Sequence, residues 1–343
     1  MVANFQRILF TIAASLIVVD LVWGFYGHFQ VDVLAYARLG LLSLGMAAGG
    51  LYYQKRRAEP ALAALMFGTA FLCAFSAAAS VLNYFLLTVA GRRIDDILVA
   101  ADRALGFDWY ATMVAMSHHV MLNEIFFRVY NLVLPQIALV MIALAWSGHV
   151  EKIYRYCLAL AVGALVAITI WALIPSLGAK SLYTLPPDVA ARLTLSITTD
   201  YGKELVALLH QGPGYITPSD VRGLIAFPSY HGVLALLVTF YAWPVRWLRW
   251  PVLLTNAVVL ICTPIQGGHH LVDVLAAFPV AALSIFIASL GEKAQSTAIL
   301  PAVVNKRPKL SVGPVPQDLF RIATEQESTS EPATIKPKLS GVS

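Results

Sequence analysis

The stretch 261–276, ICTPIQGGHHLVDVLA, places His269, His270 and Asp273 in a region apolar enough to enter a membrane. His269 and Asp273 are four residues apart, so a helix beginning near Gly268 would set them on one face, one turn from each other. A carboxylate so placed can hold one ring N–H of an imidazole and leave the other nitrogen free to attack. A second polar stretch, 223–234 (GLIAFPSYHGVL), brings His231 to the start of another apolar run. Ionisable groups at membrane depth are costly and mark functional sites by default. Two histidines and a carboxylate from distant segments therefore point to chemistry at one membrane surface.

The surrounding composition sets the fold class. The chain has 343 residues, of which 59% are hydrophobic and 13% charged, about half the charge of a typical soluble domain. Apolar runs cover roughly 8–26, 33–53, 61–90, 126–147, 154–174, 228–244, 250–266 and 270–290. The reading is all-α and polytopic, with about eight transmembrane helices, each needing roughly 17–25 residues. The first run carries Asp20 and has no small-x-small cleavage site, so it reads as a retained span rather than a signal peptide. A net charge of +5 then reflects loop bias and not nucleic acid binding. Cys73, Cys157 and Cys262 all lie in apolar runs, which suits small buried side chains better than disulfides or a thiolate metal site.

Organisation follows from the loops. Residues 1–58 hold two N-terminal spans, 59–292 a six-helix membrane domain, and 293–343 a polar tail with a disordered composition. Lys55, Arg56, Arg57, Lys152, Arg155, Arg246 and Arg249 fall on one side, which the positive-inside rule makes cytoplasmic. Both histidine stretches then face the extracytoplasmic side of a multi-pass cell-membrane protein. Segment 92–120 reads as an amphipathic helix on the outer surface, with Asp95, Asp96 and Asp102 on its wet face. Segment 175–227 is a long outer loop, with a short helix expected around 188–210 and Asp188 as its cap.

FPSYHG resembles the Pro-Ser-x-His signature of the type-2 phosphatidic acid phosphatase superfamily, and GGHHLVD resembles its His-x-x-x-Asp signature. Within that superfamily the form is similar to the branch of inositol phosphorylceramide synthases, with a six-helix core from about 61 to 290. The resemblance implies an integral-membrane phosphotransferase or phosphatase in which His269 is the nucleophile and forms a phosphohistidine. Asp273 would orient it, and His231 would act as acid and then base, with His270 and Tyr230 as supporting neighbours. The family's basic motif has no clear copy here, so the phosphate would be held by Ser229 with Arg222, Arg128 and Lys180 as candidate cations. The substrate would be a membrane lipid phosphate or phosphodiester. The acceptor would be water or an alcohol such as inositol or a second lipid. No metal, cofactor or nucleic acid is implied. A different class of function, a lipid-linked sugar transferase or a transporter working through Asp20, Asp95 and Asp96, would leave both histidine stretches without a purpose.

Overall fold

The computed structural model describes residues 2–296, and among them helices dominate. The sequence-expected spans are occupied by α1 (Val2–Gly27), α2 (Val33–Tyr52), α3 (Pro60–Phe85), α6 (Val120–Asn131) with α7 (Val133–Trp146), α8 (Val150–Leu173), α11 (Tyr230–Ala242), α12 (Arg249–Gln266) and α13 (Leu271–Ser296). Between them lie α4 (Asp95–Ala104), α5 (Trp109–Ser117), α9 (Pro187–Ala190) and α10 (Thr199–Gln211). The only β pairing among the described residues is an isolated parallel bridge, Val31 to Ile216. Five helical segments are long and apolar enough to cross a membrane, or six if α6 and α7, bent by 45°, form one span. The expected eight spans therefore divide into five clear ones, one broken pair, and the shorter or less apolar α11 and α12, which line the site.

Packing is centred on α8. Of its apolar window 67% is buried, against 11% for α1 and for α2, so α8 is the core helix and the first two face lipid. It packs against α3, α11 and α13. Ala159, Gly163 and Ala167 recur one turn apart on α8. A Cβ at Gly163 would lie 2.9 Å from Val233 and 3.2 Å from the Ser284 hydroxyl. Small residues let helix backbones approach where lipid offers no hydrophobic drive to associate. Trp243, Trp247 and Trp250 are exposed near Arg246 and Arg249 at the α11–α12 turn, as expected of an interfacial belt.

Three expectations change. Segment 92–120 is two helices, α4 and α5, separated at Gly106 with φ +77°, and the acids of α4 do not all face water. Asp95 and Asp102 are buried, whereas Ile97 and Leu105 are exposed. The cause is a buried histidine and free helix-terminal amides beneath α4, described below. The helix expected around 188–210 is split: α9 ends at Ala190, and α10 is capped by Thr198, whose hydroxyl accepts from the Tyr201 amide. Finally, α13 runs on to Ser296, past the expected start of the tail at 293. The rest of that tail lies outside the described residues.

Candidate active site

The α12–α13 turn is Gly267-Gly268-His269-His270. Both glycines are required by space. A Cβ on Gly267 would sit 2.7 Å from the Tyr130 hydroxyl, and one on Gly268, where φ is +63°, would sit 2.6 Å from the Lys180 side chain. Beyond them α13 opens with an acid in its first turn. Asp273 Oδ2 accepts from the His270 backbone N–H at 2.9 Å and pairs with His269 Nδ1 at 3.1 Å. This is the reach-back of a capping box. The expected one-turn contact of His269 with Asp273 is thus made, but by a different geometry. The helix begins at Leu271, and the carboxylate folds back over the helix start to reach a residue outside it.

The second motif meets the first at Ser229. Its hydroxyl caps α11 by accepting from the Gly232 amide at 3.3 Å, and it lies 3.4 Å from His269 Nε2. Its backbone N–H donates to the Asp273 carbonyl at 2.9 Å, which locks the starts of α11 and α13 together. Ser229 and Asp273 are fully buried and His269 nearly so. Two residues on, the partly buried His231 ring stacks on Tyr130 at 4.5 Å, nearly parallel at 10°.

Lys180 enters from the long loop. Its backbone N–H donates to the Gly268 carbonyl at 3.2 Å, and its ammonium donates to the Gly267 carbonyl at 3.0 Å. Burial lowers the ammonium to about 8, against the opposing pull of Asp273 and Asp95. His269 is held well below the usual imidazole range by burial, reinforced by the positive charges of Lys180 and His270. At neutral pH it is therefore an uncharged imidazole. With Nδ1–H donated to Asp273, Nε2 keeps its lone pair on the Ser229 side. A neutral imidazole, a buried cation and two helix starts in one place can receive an anionic electrophile.

His270 turns the other way, into a pocket of carboxylates. Its Nδ1 lies 3.2 Å from Asp102 Oδ2, and its Nε2 lies 3.8 Å from Asp95 Oδ1. Asp95 also accepts from the Ser176 hydroxyl, the Leu177 amide and Arg93. Burial works against a charge on His270, but the Asp95 contact and the charges of Asp273, Asp102 and Asp95 prevail and raise its pKa. In the same network Asp95 sits below the usual carboxylate range despite its burial, through the nearby His270 ring and its bonds with Ser176 and Arg93.

Not every sequence candidate comes here. Arg128 is displaced: its side chain is 75% exposed and bonds Glu124 one turn back, so it is a surface ion pair. Tyr230 faces the core, where its hydroxyl donates to the Leu160 carbonyl at 3.0 Å. Arg222 sits at the margin, its guanidinium 5.8 Å from the Tyr201 ring, against which the Lys180 ammonium also lies at 5.7 Å. Sequence reading missed Asp95, Asp102 and Tyr130 as neighbours of the site. Asp95 and Asp102 are seven apart, two helical turns, a spacing that puts both on one face. Tyr130 carried no local signal.

Residues 96–287 match the PAP2 superfamily, more than half of the chain. The chain belongs to the PAP2 superfamily. The matched region runs from α4 into α13 and contains His231, His269 and Asp273. It begins later than the resemblance near 61 suggested, so α3 lies before it together with α1 and α2. Comparison with curated proteins and with solved structures finds no match. PAP2 superfamily proteins are helical membrane phosphatases and phosphotransferases.

Proposed function

We propose that this PAP2 superfamily protein is a phosphotransferase of the inositol phosphorylceramide synthase-like branch, acting on a lipid phosphodiester at the extracytoplasmic face. The observation that carries the reading is the buried Asp273–His269–Ser229 line at the joined starts of α13 and α11. His269 Nε2 attacks phosphorus and the P–O bond to diacylglycerol breaks. His231 gives the departing oxygen its proton. An acceptor hydroxyl then surrenders its proton to His231 and attacks the phosphohistidine, and the P–N bond breaks to free His269. Lys180 and Ser229 hold the phosphate oxygens. Helix direction supports an extracytoplasmic active face: His231 starts α11, while Arg246 and Arg249 lie beyond its far end.

Two acceptors compete, water and an alcohol. The long loop bonds over the catalytic turn, the Ile197 and Ser196 amides donating to the Gln266 backbone and side chain at 3.0 and 3.1 Å. A covered site favours an alcohol over water. Purified protein given phosphate-labelled phospholipid, with and without a lipid alcohol, decides between them. A new labelled lipid means transfer. Labelled headgroup phosphate released into water, with no new lipid, means hydrolysis and would overturn the branch assignment.

Two outcomes test the roles. His231→Ala is expected to lose about 10²–10⁴-fold in turnover of a lipid ester, the range of a positioned acid–base group. On a p-nitrophenyl phosphodiester the first step should lose far less, because that leaving group needs no proton. An equal loss on both esters would rule out the acid role. Turnover should also fall as pH rises through about 8, where Lys180 gives up its charge. Lys180→Arg keeps a cation through that range, so its remaining activity should lack that limb.

A further inference from the structure

Asp102 stands outside every motif, yet three donors at the catalytic turn converge on it. Oδ2 lies 3.2 Å from His270 Nδ1 and accepts from the Leu271 amide at 3.1 Å, while Oδ1 accepts from the Val272 amide at 3.0 Å. A helix start leaves its first N–H groups without partners, and here a carboxylate from another helix takes two of them. One face of α4 thus holds the start of α13 through Asp102. Two turns earlier on the same face, Asp95 holds Ser176 and Leu177, the turn that leads to Lys180. The nucleophile and the phosphate-binding cation reach the site from segments about ninety residues apart, and α4 is fastened to both.

We propose that Asp102 is a positioning residue for the transfer, fixing the His269–Asp273 segment in register with the Lys180 turn through His270 and the first amides of α13. It rests on the proposed phosphotransfer and acts through His270, without touching substrate. Asparagine has one acceptor oxygen where Asp102 uses two, so at least one of the three donors loses its partner and the imidazole loses a facing charge. The groups facing His270 are Asp95 and Asp102 from α4 and Asp273 from α13, with Arg93 paired to Asp95 and with Arg103 and Asp108 bordering the adjoining cavity.

The test compares full-length wild type, Asp102→Asn, Asp102→Glu and the exposed control Asp96→Asn in detergent. Dioctanoyl phosphatidylinositol with a short-chain lipid alcohol is the activity probe. Side-chain nitrogen NMR of labelled histidine, assigned with His270→Gln, reports the imidazole independently. Asp102→Asn is expected to lower kcat about 10–100-fold with KM unchanged, the scale of a small misplacement of a reacting group. Its His270 should lose its proton at lower pH than in wild type. Asp102→Glu should recover part of both, and Asp96→Asn should match wild type. An unchanged kcat in Asp102→Asn overturns the proposal. So does a loss that only tracks unfolded protein in thermal melts while His270 titrates as in wild type. If wild type turns over no lipid, the phosphotransfer reading fails by itself, and the His270 titration still decides whether Asp102 controls that ring.

Discussion

Replacing His269 by alanine is expected to abolish turnover, by about 10⁴-fold or more, the scale on which an enzyme loses its nucleophile. The reason is covalent: in this mechanism phosphorus is bonded to Nε2 between the two half-reactions, and no neighbour can stand in. The Lys180 ammonium has no lone pair to attack with, and the Ser229 hydroxyl would have lost with His269 the imidazole beside it. The check is single-turnover labelling. Wild type should trap acid-labile, base-stable labelled phosphate, and His269→Ala should trap none while melting at nearly the same temperature. The replaced side chain lies in a polar turn and not in the apolar core, so the fold loses little. Full activity in this variant would end the phosphohistidine account.

Asp273→Asn is the second large effect, expected to cost about 10²–10⁴-fold in kcat. Asp273 Oδ2 serves the His270 amide and His269 Nδ1 together. Asparagine can set its carbonyl oxygen in that place and keep both contacts, but it brings no negative charge to offset the positive charge that the His269 ring gains as Nε2 bonds to phosphorus. Affinity for the lipid should change little, because the carboxylate does not face the phosphate. Initial rates over a range of substrate concentrations separate the two parameters. A variant with unchanged kcat and a raised KM would place Asp273 in binding instead of orientation.

Much of this arrangement was legible in the residues. The eight apolar runs became helices, and five of them, or six if α6 and α7 form one span, are long and apolar enough to cross a membrane. His269 and Asp273 found each other because their separation is local, and local geometry is written into spacing. Cation assignment was less legible. Arg128 and Lys180 were equal candidates in sequence, yet one lies in an exposed ion pair and the other is buried against the glycine turn.

Sequence alone determined that the chain is an all-helical membrane protein and singled out two short polar segments as its candidate site. Both follow from composition and from spacings of a few residues, which act without knowledge of the rest of the molecule. Tertiary structure decided which charges serve those segments: Lys180 from the long loop, Asp95 and Asp102 turned inward from α4, and Arg128 left outside. A buried charge persists only where partners compensate its lost hydration, and those partners come from helices far apart in the chain.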